Sequence, residues 1–166
     1  EKVAIIGPNG IGKSTLLKII LDQLTADEGS FEWGYEANTS YFAQDHHEQL
    51  RGKISAYDWL YATAPHEPIG AIRGLLGRVL FSGDEALKQV SALSGGESAR
   101  LLFARIMLEK RNILILDEPT NHMDLEGVAA LGDALQAFEG TVLVVSHYRH
   151  FVSKVATRIL ELTPNG

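Results

Sequence analysis

The residues that could do chemistry begin at the seventh position. Gly7-Pro8-Asn9-Gly10-Ile11-Gly12-Lys13-Ser14 has the pattern Gly-x-x-x-x-Gly-Lys-Ser, with the apolar run Val3-Ala4-Ile5-Ile6 before it and Thr15 after it. Glycines let successive backbone N–H groups turn inward around phosphate oxygens, where a Cβ would intrude. A helix opening at Lys13 adds the partial positive charge of its N-terminus. Lys13 brings a full charge to the β- and γ-phosphates, and the Ser14 hydroxyl is placed to ligate Mg²⁺. Residues Gly7 to Thr15 are therefore the candidate ATP-binding segment.

A second acidic centre lies far along the chain. Ile113-Leu114-Ile115-Leu116-Asp117-Glu118 puts two carboxylates at the C-terminal end of an apolar run, the end of a strand at which open α/β sheets bind ligands. Asp117 can hold Mg²⁺ through its water shell, and Glu118 is the candidate base for an attacking water. Gln44 follows Tyr41-Phe42-Ala43 and could reach the metal or the water with a neutral side chain. His147 ends the run Val142 to Ser146 and could donate to a γ-phosphate. The catalytic candidates are thus Glu118, His147 and Lys13, and the metal candidates Ser14, Gln44 and Asp117. His46, His47, His66 and His150 read as solvated or locally packed. Leu93-Ser94-Gly95-Gly96-Glu97 opens another helix, where Ser94 and the glycine amides form a second anion site. One triphosphate needs one such site, so the second implies a partner.

These groups must be positioned by a particular kind of scaffold. Apolar runs alternate with helical stretches, which predicts an α/β fold with a mostly parallel sheet and crossover helices. Strands are expected at Val3–Ile6, Phe31–Trp33, Ser40–Ala43, Ile113–Leu116, Val142–Val145 and Arg158–Leu162. Helices are expected over Lys13–Leu24, Glu97–Leu108 and Asp124–Phe138, with a small helical subdomain between Ile54 and Leu87 broken at Pro65 and Pro68.

Composition narrows the classes of function. The 166 residues suit one domain, and 45% hydrophobic with 22% charged residues is ordinary for a globular protein. No apolar run approaches the roughly 18–20 residues of a membrane helix. Zero cysteines exclude disulfides and thiolate zinc sites and fit a reducing compartment. A net charge of −6 gives no broad basic footprint for nucleic acid.

The ordered set of phosphate loop, Gln44, Leu93-Ser94-Gly95-Gly96-Glu97, Asp117-Glu118, Asp124 and His147 resembles the ATP-binding cassette (ABC) family, along essentially the whole chain. Glu118-Pro119-Thr120-Asn121-His122-Met123-Asp124 looks like the F subfamily (ABC-F), and Leu76 to Asp84 is similar to the second cassette of such proteins, in the YbiT-like group. The resemblance implies a P-loop NTPase (RecA-like) core at 1–44 and 110–166, with a helical signature subdomain at 45–109. It also implies Mg²⁺-dependent ATP hydrolysis in a cytoplasmic, non-membrane protein, with Ser94, Gly95, Gly96, Glu97 and Asp124 acting in trans. The trans partner would be a second cassette, of the same parent chain or of a homodimer. Binding of the parent protein to the ribosome beside transfer RNA, with control of translation, is implied as well.

Two features depart from the family pattern. Tyr148 stands where an aspartate usually follows the switch histidine. The antiparallel N-terminal strands are missing, with the aromatic residue that stacks on adenine, so 1–166 reads as a truncated cassette. Since base stacking contributes about 1–3 kcal/mol, ATP binding about ten-fold or more below that of an intact cassette is expected. The alternative reading is the nucleotide-binding subunit of an ABC membrane transporter, against which Asn121-His122 argues. An ABC-type DNA-repair ATPase would need coiled-coil or zinc insertions that the sequence lacks, and a catalytically silent nucleotide-binding module is the remaining option.

Overall fold

The computed structural model describes residues 1–43 and 50–164. Five short aliphatic runs form one sheet: β1 (Lys2–Ile6), β2 (Thr39–Phe42), β3 (Ile113–Asp117), β4 (Thr141–Val145) and β5 (Arg158–Glu161). Their spatial order is β2-β3-β4-β1-β5, and all four ladders are parallel. Asp117 lies opposite Val145 at the C-terminal edge, where Ile6 also ends β1 against Glu161.

The continuous apolar character of the central strands follows from a sheet covered on both faces. Side chains alternate across a strand, so Leu114 and Leu116 join the larger core with Val142, Val144 and Phe103. Ile115, with Ile5 and Val145, faces the other way onto Leu17. That second face is covered by α1 (Lys13–Ile20). The larger core takes in α2 (Ala56–Thr63), α3 (Ile69–Arg78), α4 (Gly95–Leu108), α5 (Leu125–Ala137) and α6 (Arg149–Val155).

Helix ends follow the local chemistry. Ser55 caps α2 by accepting from the Asp58 N–H at 3.0 Å, and α2 stops before Pro65 while α3 starts directly after Pro68. Past the end of α3 the chain turns at Leu80 in the left-handed region, φ +63°. Arg100 of α4 donates from Nη1 to the carbonyls of Val79 (2.9 Å) and Leu80 (3.0 Å) and lies over the Phe81 ring. These contacts tie the signature helix to the end of α3. Two 3₁₀ turns, Gly83–Leu87 and Val90–Ala92, lead into α4.

Three sequence expectations change. Phe31–Trp33 forms no strand; the two rings meet edge-on, and Trp33 donates its indole N–H to the Ile20 carbonyl at 3.0 Å. The same bond explains why α1 ends at Ile20 and not Leu24: it occupies a terminal carbonyl of the helix, and Asp22 follows at φ +58°. The seven-residue α6 was not expected, because Arg149, His150, Ser153 and Lys154 interrupt its apolar pattern. Among the described residues no helix is long and apolar enough to cross a membrane.

Candidate nucleotide site

The phosphate loop connects β1 to α1. Its turns need glycine: Gly7, Gly10 and Gly12 have φ of +149°, +77° and +105°. At Gly7 space is short as well, since a Cβ there would stand 2.6 Å from the Leu162 carbonyl oxygen. That oxygen belongs to the segment leaving β5, held to β1 by the Leu162 N–H to Ile6 carbonyl bond of 2.9 Å. The Lys13 side chain folds back into the loop, and its Nζ donates to the carbonyls of Gly7 (2.8 Å) and Pro8 (2.9 Å). A cleft of about 540 Å³ opens here. Asn9, Gly10, Gly12, Lys13, Ser14 and Thr15 line one side, and Glu118, Asn121, Val145 and His147 the other. Pro8 and Ile11 complete the loop without lining the cleft.

Asp117 ends β3 almost fully buried, at 1% exposure. The Ser14 hydroxyl hydrogen-bonds its carboxylate, whereas Oδ1 has no hydrogen-bond partner among the described residues. Burial pushes its titration above the usual aspartate range and the Glu118 charge adds to this, against the opposing pull of Ser14, Lys18 and Lys13. A buried carboxylate oxygen without a partner, beside a hydroxyl, is a donor set that fits a hard cation. The same burial raises Tyr41 on the neighbouring strand, helped by the Asp117 charge.

A stability prediction follows. A carboxyl that titrates higher folded than unfolded makes the native state bind more protons, so its contribution falls as pH rises through that window. Asp117→Asn is therefore expected to raise the Tm of the nucleotide-free protein at pH 7. The gain should vanish as pH falls below the ordinary aspartate range. Calorimetry at both pH values checks this; equal Tm values at pH 7 would mean the charge is already compensated.

Glu118 follows in the left-handed region, φ +48°, with its N–H donating to the Val145 carbonyl at 2.9 Å. That bond aligns it beside the end of β4, two residues before His147. Nδ1 of His147 lies 3.0 Å from Oε2 of Glu118. The carboxylate is 10% exposed and the imidazole 69%, so the histidine forms the outer wall of the pair. An ionised carboxylate accepts, which puts the proton on Nδ1. Tyr148, the departure after the switch histidine, packs its ring on the larger core. Its N–H donates to the buried Ser146 hydroxyl at 3.2 Å. These contacts anchor the loop that carries His147.

The signature residues do not line the cleft. Ser94 caps α4, accepting from the Glu97 N–H at 3.2 Å, while Glu97 accepts from the Ser94 N–H at 2.8 Å. Burial opposes the Glu97 charge, but Lys88 at 2.5 Å and the Ser94 bonds outweigh it and hold the carboxyl below its usual range. Gly95 is the first residue of α4. A Cβ on Gly96 would meet the His122 carbonyl oxygen at 2.6 Å, so the helix start abuts the loop that follows Glu118. Asp124 caps α5 by accepting from the Gly127 N–H at 2.8 Å. Gln44, His46 and His47 fall outside the described residues. Asn121 was read from sequence only as a subfamily marker; its place in the cleft comes from a turn.

Comparison with known proteins agrees with this geometry. Residues 1–121 match the family described as "ABC transporter". The chain is 46% identical over 165 residues to "Probable ATP-binding protein YbiT" of Escherichia coli O157:H7, covering 99% of this chain and 31% of that protein. It is 40% identical over 159 residues to "ATP-binding cassette sub-family F member 3" of Pongo abelii, covering 96% of this chain and 22% of that one. The chain thus spans less than a third of the length of these relatives. Among solved structures, "RNase-L Inhibitor" superposes with a TM-score of 0.81 at 28% identity, over 97% of this chain and 32% of that one. An archaeal ribosome recycling factor, aABCE1, superposes with a TM-score of 0.79 at 29% identity, over 97% and 31%. With these matches and a phosphate loop facing a buried Asp117 and a Glu118–His147 pair, the chain belongs to the ATP-binding cassette family and is similar to members of its F subfamily.

Proposed function

We propose that this chain is the cassette at which a longer ABC-F protein binds and hydrolyses ATP, with turnover coupled to ribosome binding and control of translation. The observation that carries the hydrolytic reading is the Glu118–His147 pair across the cleft from the loop that holds Lys13.

In this reading the phosphate-loop amides and Lys13 bind the β- and γ-phosphates. The Lys13 ammonium exchanges its two carbonyl acceptors for phosphate oxygens. Ser14 and Asp117 would hold Mg²⁺, with Gln44 as a further ligand, and the ion would supply positive charge against that developing on the phosphates. Glu118 orients a water and takes its proton as the water oxygen bonds to γ-phosphorus and the bond to the β–γ bridging oxygen breaks. His147 can donate to Glu118 through Nδ1 and to the γ-phosphate through Nε2 at once only as an imidazolium.

Ser94, Gly95, Gly96, Glu97 and Asp124 serve the site of a second cassette. Their absence from the lining of the cleft supports this, and the reading divides the chain into a core at 1–44 and 110–166 and a signature subdomain at 45–109. The ribosome reading draws on the F-subfamily relatives and on the ribosome recycling factor among the structural neighbours. Co-sedimentation tests it: the intact protein is expected to pellet with ribosomes in ATP and to be released in ADP. Equal distribution in both nucleotides would remove the ribosome role and leave the ATPase reading standing.

A further inference from the structure

The loop between β3 and α5 carries one side chain into the cleft that no role yet covers. Asn121 shares a wall with Glu118, Val145 and His147. Its N–H donates to the Glu118 carbonyl at 3.1 Å, and the Met123 N–H donates to the Thr120 carbonyl at 3.2 Å. The first bond closes a four-residue turn from Glu118 to Asn121. Such a turn brings its end residues within about 7 Å at Cα. Pro119 occupies the second position, where its fixed φ is pre-set for the turn. Thr120 is buried at 8% exposure and anchors the turn from below. Left-handed backbone at Glu118 (φ +48°) and at His122 (φ +66°) brackets it. The base and Asn121 are therefore mounted on one stiff corner.

We propose that Asn121 is a further catalytic residue, whose carboxamide donates a hydrogen bond to the attacking water or to the γ-phosphate oxygen as charge develops there. The proposal rests on the hydrolytic reading of the cleft. The carboxamide makes no hydrogen bond to any described group, so its N–H₂ is available to a ligand. The cleft chemistry favours a neutral donor here. A lysine would pair with Glu118 and quench the base, and a second carboxylate would repel the triphosphate. An amide does neither. A preorganised donor aimed at developing charge acts in the transition state more than in the ground state.

The test is steady-state MgATP hydrolysis by the intact protein carrying Asn121→Ala, Asn121→Ser or Asn121→Asp, with thermal melts of each. Asn121→Ala is expected to lower kcat about 10–100-fold, toward the cost of removing one oxyanion donor, with KM and Tm little changed. Asn121→Ser, which keeps a donor, should recover part of kcat, and Asn121→Asp should fall below Asn121→Ala. A kcat for Asn121→Ala within about two-fold of wild type overturns the proposal. So does a loss that all three variants share equally with a matching fall in Tm, which marks a structural brace. Glu118→Gln in parallel separates the two levels: if it too leaves turnover intact, the hydrolytic reading itself has failed.

Discussion

Glu118→Gln is expected to lower ATP turnover of the intact protein by roughly 10²–10⁴ while ATP binding is preserved, the scale of losing a general base. The glutamine is isosteric, and its carbonyl oxygen can still accept from Nδ1 of His147, so the 3.0 Å contact and the loop geometry persist. What disappears is the acceptor for the proton of water. Removing a negative charge near the triphosphate also lowers repulsion, so affinity should hold or improve. Phosphate release and nucleotide titration on the same preparation decide it. Near-normal turnover would take Glu118 out of the role of base.

Lys13→Met is the second large effect, and it acts on binding. The methionine keeps most of the apolar stem and removes the ammonium. That ammonium is held by the Gly7 and Pro8 carbonyls, which lie in a loop at the edge of the cleft, where water can replace it. The cost to the fold is therefore small, a Tm change of a few degrees. The cost to MgATP is the loss of charge-assisted bonds of about 1.5–3 kcal/mol each, or an affinity drop of roughly 10²-fold. Calorimetric titration with parallel melts separates the two. A large Tm loss with unchanged affinity would assign Lys13 to the loop and not to the phosphate.

What could be read from sequence followed the strength of local signals. The central strands were legible because both faces of β3 and β4 are buried, which demands unbroken aliphatic runs. The phosphate loop was legible because glycine at positive φ, a lysine and a hydroxyl at fixed spacing have few other uses. Phe31–Trp33 misled because aromatic content signals a strand only where a neighbour offers backbone partners. Here Trp33 spends its N–H on the end of α1. Helix α6 was hidden because three of its seven residues are buried and charged or polar groups fill the gaps. Asn121 could not be placed from sequence, since its position depends on a turn hydrogen bond and on left-handed backbone at Glu118, a residue type that gives no hint of it. The Ser94 and Asp124 caps were legible as helix starts. Their absence from the cleft lining needed coordinates.

The contact between Gly7 and the Leu162 carbonyl has a mechanical side. The first turn of the phosphate loop leans on the chain as it leaves β5, where a Cβ at Gly7 would meet the Leu162 carbonyl oxygen and the Ile11 side chain, and Leu162 itself packs on the cluster of Ile5 and Leu17. Tension applied beyond residue 162 would therefore act on the nucleotide loop as well as on β1 and the core beneath it. The exit of the last strand is a poor place to attach a load.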